Sequence, residues 1–569
     1  MKTGDSPPIF ISYATADREL EVHGAAKGTG IALRPASSKP SGPRNAPHRG
    51  DRAEIAIMSH ASRVTIAALL LALGATEGRA QPADDGRDLH LIEGFEQQVE
   101  AHRRALGIPG MSTVVVRDGE VLSARGFGYA DLERRVPATA DTLYHLASVT
   151  KTFTAVLVHR LVEQGKLGLD EPVARYSPEF KDNGAQVRHV LSHTSENTPG
   201  DAFNYSPDRF EGLKDILEKK YGKPLRQIYV EAFLEPLAMR DSVPSHDVAD
   251  DDTTHAALGL DNLARYRRNL AHFAKPYTYW AEGNGTSEYA GYPPRELWVS
   301  AGLLSTVLDM ARYDKAIDDH TLLKAETLAH AWTPVLSNAG KPLPFGLGWF
   351  VTDYRSERLV WHYGHWGTGF SSLYLKVPAR RLTLVALANS EHLADHPYKL
   401  GDGDVTNSLF ACSFLASFVR GISNAARGAA PPANLEALLA DKQARNAFAK
   451  SAEDPGCELT SRIAYANWRD LRREEAAKRK PIPYDAALAA EYAGTYRLPH
   501  RDIHVTNEGG RLFINVPADG GHTEMYAMSP TEFFIRIRPW DLRFVKEGGK
   551  VVRLDFVEGD VTDSAPRVE

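Results

Sequence analysis

Two hairpin signals lie far apart in this chain, and the stretch between them is helical. Met111 to Tyr129 carries β-rich runs on either side of Asp118-Gly119, a dipeptide favoured in two-residue hairpin turns. Much later, Ser371 to Val377 and Leu382 to Ala388 alternate or run apolar around Pro378-Ala379-Arg380-Arg381 and read as a second hairpin. Between them, Thr152 to Leu161, Leu213 to Tyr221, Leu225 to Phe233 and Ser305 to Ile317 repeat apolar residues at three- and four-residue steps, the period of a helix. Strands at both ends with helices between predict one antiparallel sheet, completed by both ends of the segment and flanked by helices, an α+β arrangement.

The flanking sequence has a different texture. Downstream, Ala425 to Pro432 is a linker of small residues and proline, and Leu435 to Lys480 is a charged helical stretch stopped by Pro481 and Pro483. After Tyr484, short β-rich runs are separated by Gly509-Gly510, Gly520-Gly521 and Gly548-Gly549, which predicts a small antiparallel barrel or sandwich. The expected division is a main domain over 85–425, a helical linker over 426–485 and a small β domain over 486–560. At about 75 residues that last domain has a marginal core of its own, and it is expected to dock against the main domain or the linker.

Residues 1–57 are rich in Pro, Gly, Ser and Arg with little periodicity, and read as disordered or as an over-extended gene start. Phe10-Ile11-Ser12-Tyr13 resembles the first strand of a Toll/interleukin-receptor domain, but the segment is too short to hold one. The apolar run Ile66 to Leu73 is far shorter than the roughly 20 residues of a membrane span. With Met58 and Arg63 before it and Gly78-Arg79-Ala80 after it, it fits a signal peptide over 58–80. The expectation is a periplasmic or secreted chain beginning near Gln81, with no stable transmembrane anchor. Export permits a disulfide between the two cysteines, Cys412 and Cys457, although two separate buried thiols fit the sequence equally well. Sixty-seven basic against seventy-three acidic residues, a net charge of -6, argue against a nucleic-acid partner. Two cysteines exclude a zinc or iron–sulfur site built from thiolates alone.

Chemistry enters with Ser148-Val149-Thr150-Lys151, at the start of the first long helical pattern. Serine is a good helix cap there, and unpaired N–H groups at a helix start favour developing negative charge. The three-residue spacing puts Ser148 and Lys151 on one helix face, within reach of each other. A serine hydroxyl needs a neighbouring base to become a nucleophile, and a desolvated lysine can supply it.

The blocks around this tetrapeptide carry a resemblance. Leu146 to Thr154, Gly165 to Val173, Val190-Leu191-Ser192-His193-Thr194-Ser195, Glu235-Pro236-Leu237-Ala238-Met239 and Gly346-Leu347-Gly348-Trp349-Phe350 resemble, in order, the blocks of the serine β-lactamase and penicillin-binding-protein family, specifically its class C branch. The resemblance covers roughly Ile92 to Asn424. It implies a β-lactamase/transpeptidase-like fold and a serine hydrolase that works through an acyl-enzyme on a small-molecule or peptide substrate, with no cofactor and no metal. It also places Tyr205, in Tyr205-Ser206-Pro207, at the tyrosine of the family's Tyr-x-Asn loop, as general base or proton shuttle. A neighbouring ammonium would lower its pKa from the usual value of about 10. The asparagine is replaced by Pro207.

The family's Lys-Thr-Gly or His-x-Gly strand is matched by His362-Tyr363-Gly364, with His365-Trp366-Gly367 as an overlapping alternative. On the first choice the His365 N–H joins that of Ser148 as an oxyanion hole, and Gly364 admits substrate close to the strand. Loss of both the asparagine and the lysine weakens carboxylate recognition. The implied substrate is an ester, a small amide or a D-amino-acid peptide, with a β-lactam possible but not favoured. Glu491-Tyr492-Ala493-Gly494-Thr495-Tyr496 resembles the opening of the small β domain often appended to such hydrolases. Two competitors remain: a non-catalytic or single-turnover binding protein of the same fold, and a metallohydrolase using His189 with His193 or His362 with His365. No glutamate follows the first pair in the zinc-protease pattern. The oligomeric state is left open.

Overall fold

The structure is a computed structural model, and it describes residues 85–177, 184–250, 258–280, 286–289, 292–293, 295–366, 369–394, 400–419, 435–451, 457–498, 501–516, 521–535, 540–558 and 561–568. The expected extension (1–57), the signal peptide (58–80), the proline linker and Gly367 lie outside these residues.

The first hairpin is β1 (Gly110–Arg117) and β2 (Glu120–Asp131), extended by β3 (Val136–Pro137). Two small ribbons follow, β4 (Tyr144–His145) with β7 (Leu304–Ser305), and β5 (Tyr277–Trp280) with β6 (Thr286–Tyr289). The second group is β8 (Phe350–Tyr354), β9 (Glu357–Trp366), β10 (Phe370–Val377) and β11 (Leu382–Ala388). Together they form a seven-stranded sheet in the order β3-β2-β1-β11-β10-β9-β8. β1 pairs antiparallel with β11, from Met111 opposite Ala388 to Arg117 opposite Leu382, so the two hairpins meet at the middle of one sheet.

Four helices position the sheet: α1 (Asp85–Ala105), α2 (Thr150–Glu163), α3 (Val307–Asp318) and α4 (Leu409–Phe418). Because strand side chains alternate, β1 sends Val114 and Val116 to one face and Met111 and Val115 to the other. The first face packs on α2 and α3, and the second on Phe95 and Val99 of α1 and Phe410 and Phe414 of α4. Apart from its last residues α2 is buried on every side, which suits a helix with Phe153, Val156, Leu157 and Val158 in succession and no Gly or Pro.

Among the described residues the charged stretch carries three helices: α5 (Leu435–Ala440), α6 (Lys442–Ser451) and α7 (Cys457–Lys478). Asp441 separates the first two and caps α6, accepting from the N–H groups of Gln443 and Ala444 at 2.8 and 3.1 Å. Tyr465 of α7 donates its hydroxyl to the carbonyl of Ala105 at the end of α1. Cys412 of α4 is disulfide-bonded, and the sequence holds one other cysteine, Cys457.

After α8 (Ala486–Tyr492) come β12 (Gly494–Leu498), β13 (Arg501–Glu508), β14 (Arg511–Val516), β15 (Gly521–Ala527), β16 (Glu532–Ile535), β17 (Asp541–Glu547), β18 (Lys550–Glu558) and β19 (Val561–Pro566). Each pairs with its sequence neighbour, and a bridge between Tyr496 and Arg567 brings the first strand to the end of the last. The module is therefore a nearly closed up-and-down barrel and not a sandwich. Tyr492 of α8 plugs its core, its ring stacked 4.0 Å from that of Phe544. Arg479 pairs with Asp541 at 3.0 Å, and Ile482 N–H donates to the Ala527 carbonyl at 2.8 Å, tying the end of the linker to the barrel. Among the described residues no helix is long and apolar enough to cross a membrane.

Candidate active site

Ser148 sits in a turn that is fixed before the helix begins. The ribbon β4–β7 pairs Tyr144 with Ser305 and His145 with Leu304, and Leu146 N–H donates to the Leu303 carbonyl at 2.9 Å. Ala147 then adopts a left-handed φ of 45°, unfavourable for a residue with a Cβ. Its N–H is held by Nδ1 of His145 at 3.0 Å. Ala147–Val149 form a 3-10 turn, and α2 starts at Thr150 with no side-chain cap. Ser148 is therefore not the helix cap that the sequence suggests. Its hydroxyl is turned instead toward the next turn of α2, where Lys151 Nζ donates to Ser148 Oγ at 2.9 Å and to the Ser300 carbonyl at 3.2 Å.

Ser148 is 8% exposed and Lys151 is fully buried. The rings of Tyr205 and Phe210 lie 5.0 and 5.5 Å from Lys151 Nζ. Burial brings the Lys151 pKa down to about 7, against the opposing pull of Glu211 and Asp208. Near neutral pH a substantial fraction of this amine carries no proton.

Tyr205 is positioned by its loop. His193 has a left-handed φ of 53°, accepts the Ser206 N–H on Nδ1 at 3.2 Å, and offers its carbonyl to Asn204 N–H at 2.8 Å. Its ring packs 4.4 Å from that of Tyr205. The Tyr205 hydroxyl is enclosed and completes no hydrogen bond, although the Ser148 hydroxyl is near enough to pull its pKa down in part. Burial outweighs that pull and raises the phenol above its ordinary value. This reverses the lowered pKa expected from the sequence, because burial of the phenol itself is the stronger effect. Pro207 occupies the first position of the short helix Pro207–Phe210, where a missing N–H costs nothing, and Ser206 caps that helix.

His362 is fully buried, with Nδ1 2.6 Å from the Tyr363 carbonyl and Nε2 unpartnered. Burial, then the nearby Lys151, push its pKa down to about 3, so it carries no positive charge. Gly364, two positions on, lies against the serine turn. A Cβ there would sit 2.3 Å from the Leu146 carbonyl and 2.2 Å from Ser372 Oγ. β9 thus abuts Leu146 and Ala147 with His362 and Gly364 on the side of Ser148. By the two-residue period Tyr363 and half-buried His365 leave β9 on its other face, and the Tyr363 ring lies 5.6 Å from that of Tyr205. His189 and His193 serve separate tasks: His189 Nδ1 accepts the Gln186 N–H at 3.1 Å in a helix capping box, while His193 clamps the Tyr205 loop. Among the described residues no group of three potential ligands could hold a metal.

Sequence reasoning missed His145, Ser300 and Glu211. None lies in a recognisable spacing. Ser300 and Glu211 reach Lys151 only through tertiary packing, and His145 is an ordinary strand residue until the left-handed Ala147 needs an acceptor.

A buried lysine beside a serine on a strained turn, against the strand of a sheet closed by both ends of its segment, is the arrangement of an acyl-transferring serine hydrolase. The Beta-lactamase family model matches residues 95–402, and the chain belongs to that serine β-lactamase and penicillin-binding-protein-like family. It is similar to a penicillin-binding protein of Bacillus subtilis (strain 168), 23% identical over 489 residues, 80% of this chain and 93% of that protein. It is also similar to Protein flp of Staphylococcus aureus (strain MW2), 24% identical over 50% of this chain and 60% of that one. Among solved structures, the octameric penicillin-binding protein homologue from Pyrococcus abyssi aligns with TM-score 0.47 and 18% identity over 84% of this chain and 98% of that one. The D-amino acid amidase from Ochrobactrum anthropi SV3 aligns with TM-score 0.42 and 22% identity over 53% and 92%.

Proposed function

We propose that the protein is an exported serine hydrolase that cleaves an ester, a small amide or a D-amino-acid peptide through an acyl-enzyme on Ser148. The contact of Lys151 Nζ with Ser148 Oγ at 2.9 Å, in a site that holds the amine near neutrality, carries this reading. The neutral amine takes the Ser148 proton as Oγ forms its bond to the substrate carbonyl carbon. The carbonyl becomes an oxyanion facing the N–H groups of Ser148 and His365. Tyr205, protonated because it is buried, passes a proton to the leaving group and recovers one from Lys151, and the carbon to leaving-group bond breaks. Water then attacks the ester on Ser148 by the same relay and releases the acid. Export rests on the short apolar segment Ile66 to Leu73 and its flanks.

The missing carboxylate anchors favour neutral acyl groups. His362 is uncharged and fully buried, and Pro207 has no amide. Intact-mass spectrometry after a fluorophosphonate, and separately after penicillin, with p-nitrophenyl ester turnover alongside, tests the reading. The expected result is an adduct that Ser148→Ala abolishes, sustained ester turnover, and acylation at least about a hundredfold slower in Lys151→Ala. Adduct without turnover would make the chain a single-turnover binding protein. Activity that survives Ser148→Ala and is lost to a chelator would make it a metallohydrolase.

A further inference from the structure

Lys151 is tied to a carboxylate through the backbone of one residue. Glu211 is half-buried between the helix Pro207–Phe210 and the helix Gly212–Tyr221. Its Oε1 accepts the Ser300 N–H at 3.0 Å, and the Ser300 carbonyl in turn receives Lys151 Nζ at 3.2 Å. The segment carrying Ser300 is anchored elsewhere as well: the Val299 carbonyl receives Thr154 Oγ1 of α2 at 2.6 Å, and Leu303 holds Leu146 of the serine turn. Glu211 therefore braces the strand of backbone against which the amine rests.

The other groups around the amine do not replace it. Ser148 and Tyr205 present neutral hydroxyls, and His193 and His362 are kept neutral by burial and by Lys151 itself. Asp208 is exposed and its field is screened by water and salt. Of the two acidic residues that act on Lys151, Glu211 acts more strongly; burial raises its own pKa above the ordinary carboxylate value, and its hydrogen bond from Ser300 and the nearby Lys151 pull it back in part.

Resting on the reading of Lys151 as base, we propose that Glu211 is a positioning residue: it fixes the amine against Ser148 through Ser300, and its negative charge holds the proton that the amine must release. It touches neither nucleophile nor substrate. Its effect is on where Lys151 sits and on the pH at which Lys151 works.

The test is the pH profile of kcat/KM for p-nitrophenyl butyrate with the full-length protein. Wild type is expected to gain activity as pH rises through about 7, where Lys151 becomes neutral. Glu211→Gln keeps an acceptor for the Ser300 N–H and removes the charge, so the acid limb moves to lower pH by about one unit or more, the scale of losing a nearby opposite charge. Asp170→Asn removes an exposed carboxylate, 72% accessible, and leaves the limb in place. If Glu211→Gln does not fold, Glu211→Asp draws the carboxylate back by one methylene, and a smaller downward shift with lower kcat and unchanged KM is expected. A limb within about 0.2 units of wild type in a folded Glu211→Gln, or an unaltered kcat and limb in Glu211→Asp, overturns the proposal. Full activity in Lys151→Ala would instead remove Lys151 from the mechanism, a failure of the underlying reading that is visible whatever Glu211 variants do.

Discussion

Gly364→Ala is a one-methyl change whose consequence follows from the geometry of the serine turn. The new Cβ would stand 2.3 Å from the Leu146 carbonyl oxygen, 2.2 Å from Ser372 Oγ and 3.1 Å from the Cβ of Ala147. Carbon–oxygen contacts relax to about 3.3 Å, so about 1 Å must be found. Ser372 cannot simply rotate away, because its hydroxyl is spent on the same Leu146 carbonyl at 2.7 Å. The movement falls on the backbone of Leu146 and Ala147, which already carries the left-handed Ala147 and leads directly into Ser148. A displacement of about 1 Å at a reacting group costs about a hundredfold in rate. The expected outcome is a drop of about that size in kcat/KM for p-nitrophenyl butyrate, mostly in kcat, together with slower labelling of Ser148 by a fluorophosphonate. The far-UV spectrum stays native, since the clash is confined to one strand and one turn. Wild-type kcat/KM in Gly364→Ala would show that β9 does not lie against the serine turn, and the site as described would be wrong.

His145→Leu removes the acceptor of the Ala147 N–H, and leaving a buried donor unmade costs about 1–3 kcal/mol. Thermal melting should fall accordingly with a loss of kcat, and His145→Asn, whose amide oxygen can take the place of Nδ1, should recover most of both. Lys151→Met should abolish turnover and raise the melting temperature, because the folded state holds this amine at a pKa of about 7 against 10.5 ordinarily. Between those values the unfolded chain binds more protons, so wild-type stability rises with pH, and the gain from methionine should be larger at pH 6 than at pH 9. An equal gain at both would refute a desolvated Lys151. Penicillin should acylate Ser148 much more slowly than a neutral p-nitrophenyl ester does, as followed by intact mass.

Where chemistry is local the sequence discloses it. The Asp118-Gly119 turn and the second hairpin place β1, β2, β10 and β11 because turn chemistry and strand periodicity act over a few residues, and Ser148 and Lys151 meet because a helix fixes that spacing. Strands β8 and β9 were less legible: Phe350 to Trp366 mixes charged, aromatic and apolar residues, and Leu359 to His362 are buried in succession, without the alternation of a half-exposed strand. The charged linker breaks at Asp441 because an aspartate serves better as the cap of a new helix than inside an old one. His145, Ser300 and Glu211 were illegible for a different reason. Ser300 and Glu211 act through backbone hydrogen bonds to partners that only the assembled fold brings near, and His145, two residues from its partner, acts through a left-handed turn at Ala147 that no local spacing announces.

The same distinction governs who holds the proton. From sequence, Lys151 is a cation beside Tyr205, and a cation lowers the pKa of a neighbouring phenol. In the folded protein both groups are enclosed by Phe210 and the rings of His193 and Phe350, and desolvation acts on both in the direction that removes charge. The amine is lowered and the phenol raised, so the pair is favoured as neutral amine and protonated phenol. In the proposed mechanism that order has Lys151 take the serine's proton and Tyr205 give one to the leaving group, roles that the motif alone leaves interchangeable. The proposed part of Glu211 fits the same order: burial lowers the Lys151 amine, and a carboxylate one residue's backbone away draws it back up.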